Sequence, residues 1–212
     1  LFHETHPEFF LPISTVPCVY DSDINSNANA ERIEQFNPDL IVISGTKRVS
    51  KKILAMASLA VNIHHGFLPS YRGVSSIDWV IKENNYNYFV ATLHEAVETL
   101  DAGKIISAVY VTPYFKEPLA LFRRRVFLEG VTLVAALIRS YPSFELIPQG
   151  LGFSKRVFVH HDKESDHLRE IETEFNSLNL QRYTFWQRYR AYAQRYWDPK
   201  SKQTKQAFSK QL

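Results

Sequence analysis

Two apolar runs set the limits on how this chain folds. Residues 40–44 read Leu-Ile-Val-Ile-Ser and stop at Gly45, and residues 59–63 read Leu-Ala-Val-Asn-Ile and run into His64. Continuous stretches of this kind, without polar alternation, suit strands covered on both faces, as in a parallel sheet. Around them the pattern alternates. A helix capped by Asn25 or Asn27 runs to Asn37, with Ile33 and Phe36 turned inward, and Pro38-Asp39 closes it. Residues 50–57 read as a short helix, and residues 17–20 as a further short strand. Beyond a Pro- and Gly-bearing loop (65–73), Ser75 or Ser76 caps a helix to Asn84. Residues 88–97 and 104–111 read as strands joined through Asp101-Ala-Gly, and Pro118 opens a long apolar helix to Ser140.

Strands alternating with helices imply an α/β sheet, expected to be mostly parallel. Ligands of such sheets bind beyond the carboxyl ends of the strands. Asn62, His64 and the Asp101 loop all fall at such ends. After Tyr141 the pattern changes: Pro142, Pro148, Gly150 and Gly152 mark a linker, followed by helices over residues 163–178 and 184–197. The second of these is dense in aromatics and arginine. Aromatics at helical spacing pack on a neighbouring core, with the arginines in water. Residues 1–148 are therefore expected to form a catalytic domain and residues 149–212 a helical extension.

Composition narrows the classes. With 212 residues, 45% apolar and 22% charged, the chain can bury a full core without staples. A single cysteine, Cys18, excludes an internal disulfide and fits a reducing compartment, here the cytoplasm. No membrane partner is expected: the best apolar stretch, 126–138, is interrupted by Glu129 and falls short of the roughly 18 residues a span needs. From residue 154 on there are 12 Lys and Arg against 7 Asp and Glu, so the net charge of +3 belongs to the tail. A solvated charged helix accounts for it, and nucleic acid is not the expected partner. No Gly-x-Gly-x-x-Gly, Walker or Gly-x-Ser-x-Gly loop and no metal-ligand spacing of His and Cys is present.

The chemistry concentrates in Val61-Asn-Ile-His-His-Gly-Phe-Leu-Pro-Ser-Tyr-Arg-Gly73. In an extended strand Asn62 and His64 point to the same side, so an amide and an imidazole line one wall. Downstream come Ala91-Thr-Leu-His94 and Val97-Glu-Thr-Leu-Asp-Ala-Gly-Lys-Ile-Ile106. Together these segments resemble the formyltransferase family that includes glycinamide ribonucleotide formyltransferase, methionyl-tRNA formyltransferase and the sugar-nucleotide N-formyltransferases. The shared marks are a strand ending Asn-x-His, a Leu-Pro-x-x-x-Gly loop, and an Asp-x-Gly loop before an Ile-rich strand. The resemblance covers residues 16–144.

The resemblance implies a Rossmann-like sheet of the formyltransferase type, with 10-formyltetrahydrofolate as co-substrate and a small-molecule amine as acceptor. An amino sugar on a nucleotide is the first expectation, because Tyr71-Arg-Gly-Val-Ser-Ser is similar to that branch. It implies that Asn62 binds the formyl oxygen, that His64 exchanges the proton, and that Asp101 orients the imidazole or a water and joins the relay. It places the pterin against Arg48, Val49, Val97, Glu98 and Leu100, mostly through backbone groups. Arg72 and Gly73 would meet the acceptor, with Arg72 either holding an anion or pinning the loop. His94 matches a histidine near the family's site, or serves as a strand residue with a structural hydrogen bond; His65 should face the other way. Family members open with a strand, a helix and a second strand that this chain starts too late to hold. An exposed catalytic edge, and with it a homodimer, is then an open expectation. Two alternatives stay beside formyl transfer: hydrolysis of formyltetrahydrofolate, and a truncated relative that only binds folate.

Overall fold

The structure, a computed structural model, describes residues 17–114, 116–149, 157–158 and 165–178. The expected helix over 184–197 lies outside them. In chain order the elements are α1 (Asn27–Phe36), β1 (Leu40–Ile43), α2 (Lys51–Leu54), β2 (Leu59–His64), β3 (Arg72–Gly73) and α3 (Ser76–Lys82). After a 3-10 turn at Tyr86–Tyr88 come β4 (Val90–Glu95), β5 (Ile105–Tyr110), α4 (Leu119–Ser140), β6 (Val157–Phe158) and α5 (Ser165–Ser177). Among the described residues no helix is long and apolar enough to cross a membrane.

The main sheet has the order β1-β2-β4-β5. The two runs that stood out in the sequence do pair in parallel, Leu40 against Leu59 through Ile43 against Asn62. The α/β class therefore stands, but the described sheet is mixed rather than mostly parallel: β4 runs antiparallel to both β2 and β5. An antiparallel neighbour needs only a short return. The Asp101 loop provides such a return between β4 and β5, whereas the chain passes from β2 to β4 through β3, α3 and the 3-10 turn.

Three local expectations are corrected. Residues 17–20 form no strand: Val19 and Tyr20 are exposed and no described strand pairs with them. Ser26 caps α1, its Oγ accepting from the Asn29 N–H at 3.3 Å. Asn25 instead ties this region to the segment after β1, accepting from the Ser50 N–H at 2.7 Å and donating to the Arg48 carbonyl at 3.0 Å. Phe36 is exposed. At 3.6 residues per turn it lies roughly 120° around the helix from Ala30, the buried contact to Val49 and Ile53.

The alternation along β2 and β4 divides the sheet into a dry face and a working face. Val61, Ile63 and Leu93 pack with Val134 and Leu137 of α4. Asn62, His64, Thr92 and His94, one residue out of phase, occupy the other face. In register Asn62 opposes His94 and His64 opposes Thr92. A second cluster joins Phe122 and Val126 of α4 to Ile77, Val80 and Ile81 of α3 and to Ile171 and Phe175 of α5. Both α5 residues lie four apart, on one face of that helix.

Helix α4 lies tight against the sheet at Gly130, where a Cβ would strike Cγ2 of Ile63. Gly130→Ala gains helix propensity of roughly 0.5–1 kcal/mol. Overpacking a tight core costs about 1–3 kcal/mol and should win. The substitution is expected to lower the urea midpoint, and Ile63→Ala in the same chain should absorb part of that loss. Strict additivity of the two changes in a double-mutant cycle would refute the contact as the cause.

Candidate active site

β2 ends on the working face with Asn62 and His64, and the turn at Gly66 folds back over them. A Cβ on Gly66 would lie 2.6 Å from Ser76 Cβ and 2.8 Å from His64 Nε2, so only glycine lets the chain pass this close. Thr92 Oγ1 fastens the turn by donating to the Gly66 carbonyl at 2.7 Å. The loop then carries the Tyr71 carbonyl to 2.6 Å from His64 Nε2. A carbonyl only accepts, so this nitrogen bears the proton and donates. Ser76 Oγ also donates to the Tyr71 carbonyl, at 3.1 Å. The other imidazole nitrogen, Nδ1, faces Asp101 Oδ2 at 3.5 Å.

His94 is fixed in the same way. Its Nδ1 donates to the Glu95 carbonyl at 2.8 Å. Its Nε2 lies 3.0 Å from Asn62 Nδ2 and 3.4 Å from Asp101 Oδ1. In the neutral ring this nitrogen accepts from the Asn62 amide. Asn62 Nδ2 also reaches Asp101 Oδ1 at 3.4 Å. Asp101 receives the Gly73 N–H on Oδ2 at 2.7 Å. Asp101 itself sits in the left-handed region, at φ 49°. Asn62, His64, His94 and Asp101, drawn from three chain segments, thus meet around one carboxylate.

Burial sets the charges. Desolvation holds the His64 imidazole below its ordinary value, with the Asp101 charge opposing but not cancelling it. Burial pushes the Asp101 carboxyl up. The contact with His94, the charge His64 carries when protonated, and the Gly73 N–H outweigh that push and hold it below the usual carboxylate range. The resting pair at neutral pH is therefore a neutral imidazole beside a carboxylate. His65 faces away from this cluster, its ring edge-on to Phe127 at 5.7 Å, and burial together with His64 holds it down to about 4.

A cavity of about 810 Å³ opens on this cluster. Arg48, Val49, Val97, Glu98 and Leu100 line one part of it, with Gly73, Asn62, His64, His94 and Asp101 at the centre. Arg48 and Glu98 form an ion pair of 3.5 Å at the mouth, both side chains well exposed. Ser75, Ser76, Asp78, Arg123 and Leu168 line the far part, and Asp78 pairs with Arg123. The sequence marked the two serines only as helix caps and gave no signal for the other three. Arg72 stands outside the lining. Its Nη2 donates to Gln149 Oε1 at 3.0 Å, so the guanidinium pins a loop. Gln149 in turn donates to the carbonyls of Asp101 and Gly103, at 2.9 and 2.6 Å.

Known proteins resemble this chain in sequence and fold. A model of the family described as Formyl transferase matches residues 14–133. The methionyl-tRNA formyltransferase of Thermotoga sp. strain RQ2 is 35% identical over 92 residues, which are 42% of this chain and 29% of that protein. The chain thus spans less than a third of the length of such relatives. The structure of the formyltransferase PseJ from Anoxybacillus kamchatkensis, in complex with UDP-4,6-dideoxy-4-formamido-L-AltNAc and tetrahydrofolate, is similar with a TM-score of 0.51 and 25% identity. That similarity covers 60% of this chain and 67% of PseJ. A 4-N formyltransferase from Francisella tularensis shares the fold, with a TM-score of 0.53 at 24% identity over 63% of this chain and 54% of its own. The family match extends over more than half of the sequence and takes in Asn62, His64 and Asp101, and the chain belongs to the formyltransferase family.

Proposed function

We propose that this protein transfers the formyl group of 10-formyltetrahydrofolate to a primary amine, with an amino sugar on a nucleotide as the acceptor. The observation that carries the proposal is the convergence of Asn62, His64 and Asp101 on one cavity. The similarity to PseJ supports the acceptor class. The cavity fits the co-substrate chemically. Val49, Leu54, Val97 and Leu100 offer apolar walls for a flat pterin, and Lys47 and Arg48 meet carboxylates at the mouth.

Each residue then has a task. The amine nitrogen attacks the formyl carbon, a C–N bond forms, and the bond to the folate nitrogen breaks. His64 takes the proton of the attacking amine at Nδ1, since Nε2 is committed to the Tyr71 carbonyl. It then gives that proton to the departing nitrogen. Such acid–base work is worth about 10²–10⁴ in rate. Asp101 holds the imidazole and steadies its charged form. Asn62 supplies a hydrogen to the oxygen as negative charge develops there. Its contact with Asp101 is 3.4 Å long, at the weak limit of hydrogen bonding, so that hydrogen can move to the formyl oxygen at little cost.

The test is turnover of 10-formyltetrahydrofolate against a panel of amines that includes a UDP-linked amino sugar. Formyl should appear on the amine and tetrahydrofolate should be released in equal amount. Formate released at full rate without any amine would identify a hydrolase instead. His64→Ala and Asp101→Asn should each lower kcat by about 10²–10⁴ with the melting curve retained. Near-parental kcat in either variant would remove the assigned role.

The pH profile adds a signed prediction. The free enzyme needs neutral His64, and burial lowers its pKa, so the acid limb of kcat/KM should bend below pH ~6.5. Asp101→Asn takes away the charge that raises His64, so the limb should move to still lower pH. A limb at or above ~6.5 in the parent, or an upward move in the variant, contradicts the assignment.

A further inference from the structure

The carboxylate at the centre of the site sits on a loop, not on a strand. Asp101 lies between β4 and β5 with its backbone in the left-handed region. For a residue other than glycine that conformation costs on the order of 1–3 kcal/mol and needs outside support. Gly103 supports it from below, where a Cβ would run into the Glu95 carbonyl. From above, the support is the side chain of Gln149. Its Nε2 spends one hydrogen on the Asp101 carbonyl at 2.9 Å and the other on the Gly103 carbonyl at 2.6 Å. Its Oε1 accepts from Arg72 at 3.0 Å. The residue after Arg72, Gly73, donates its N–H to the Asp101 carboxylate at 2.7 Å. The loop is therefore gripped twice, by its backbone through Gln149 and by its side chain through Gly73, and Arg72 links the two grips.

Gln149 is itself held in place. Two residues earlier, Ile147 exchanges a pair of hydrogen bonds with Ile105 of β5, each 2.8 Å. The segment after α4 thus adds to the sheet edge just where the Asp101 loop enters β5. The position demands two donors on one side and one acceptor on the other. Among the amino acids a primary amide of this length meets that demand; a carboxylate lacks the donors, an ammonium lacks the acceptor, and Asn is one carbon short.

We propose that Gln149 is a positioning residue of the active site: clamped to Arg72, its amide holds the Asp101 loop so that the carboxylate stays between His64 and His94. It touches no reacting atom and acts through Asp101. This rests on the formyl transfer proposed for the same site only as far as the kinetics are concerned.

The test compares Gln149→Glu and Gln149→Leu with the parent in the 212-residue chain. The glutamate keeps the size and an ion pair with Arg72, so folding should persist, but it has no donor for the two carbonyls. The first readout is the NMR titration of the His64 ring, assigned with His64→Ala. With Asp101 free to move away, its charge no longer raises His64, and the midpoint should fall in both variants. The second readout is kcat, which should drop by about 10²-fold, the effect of misplacing a catalytic group by around an ångström. KM for the formyl donor should stay within about threefold, as expected when only transition-state contacts are lost. An unchanged His64 midpoint in both variants overturns the proposal, even if melting temperature or kcat falls, because the residue is then merely structural. A lowered midpoint in a protein whose parent turns over no formyl donor upholds the positioning role and removes the transferase assignment instead.

Discussion

The structure turns on keeping the Asp101 carboxylate charged while it is almost out of water. Its residue exposes only 5% of its surface. An ionised carboxylate in such a place costs several kcal/mol unless hydrogen bonds and opposite charge replace its hydration. Two donors do so here, the Gly73 N–H and the Asn62 amide, while the rings of His64 and His94 pack against the carboxylate at 3.5 and 3.4 Å. They come from the end of β2, the loop before α3 and the end of β4. Satisfying one buried charge therefore fixes the relative position of three chain segments. The left-handed backbone at Asp101 is tolerated because moving the loop would break those contacts together.

Strand register connects this site to the core. Val61 and Ile63 face α4, while Asn62 and His64 face the cavity. A slip of one residue between β2 and its neighbours would put the imidazole into the apolar cluster and an isoleucine into the site. Burial of aliphatic side chains is worth roughly 1.5–3 kcal/mol each, so the cluster of Leu59, Val61, Ile63, Leu93, Val134 and Leu137 resists that slip strongly. The contact of Gly130 with Ile63 sharpens the same selection. The dry face thus enforces the geometry of the wet one.

Much of this was legible in the sequence, for identifiable reasons. β1 and β2 showed as uninterrupted apolar runs and do pair in parallel, although Val42 of β1 is exposed. The period of two placed Asn62 and His64 side by side, and the Asp-x-Gly loop had a signature because Gly103 must pass under a carbonyl. What escaped depends on distant partners. The direction of β4 follows from the path of the chain through β3, α3 and the 3-10 turn, which hydrophobicity does not encode. Phe36 had the right spacing to look internal, yet the helix turns it to solvent. Arg72 left two readings open in the sequence, an anion holder or a loop pin, and its bond to Gln149, 77 residues away, fits the pin. Gln149 carries no local mark at all: it lies in a Pro-Gln-Gly stretch that reads as a linker.

The hydrogen bonds of His64 also restrict what kind of base it can be. The Tyr71 carbonyl commits Nε2 as a donor, so every proton the ring exchanges passes through Nδ1. A proton arriving there creates an imidazolium between a carbonyl and the Asp101 carboxylate, in a site that burial makes hostile to the charged ring. Asp101 moderates that hostility without abolishing it, and its own depressed pKa keeps it from taking the proton outright. The ring can therefore accept a proton but has little tendency to keep it. Formyl transfer asks for this behaviour, because the same proton must reach the departing nitrogen within one turnover. A fully solvated histidine would hold the proton more firmly, and one buried without a carboxylate would resist taking it.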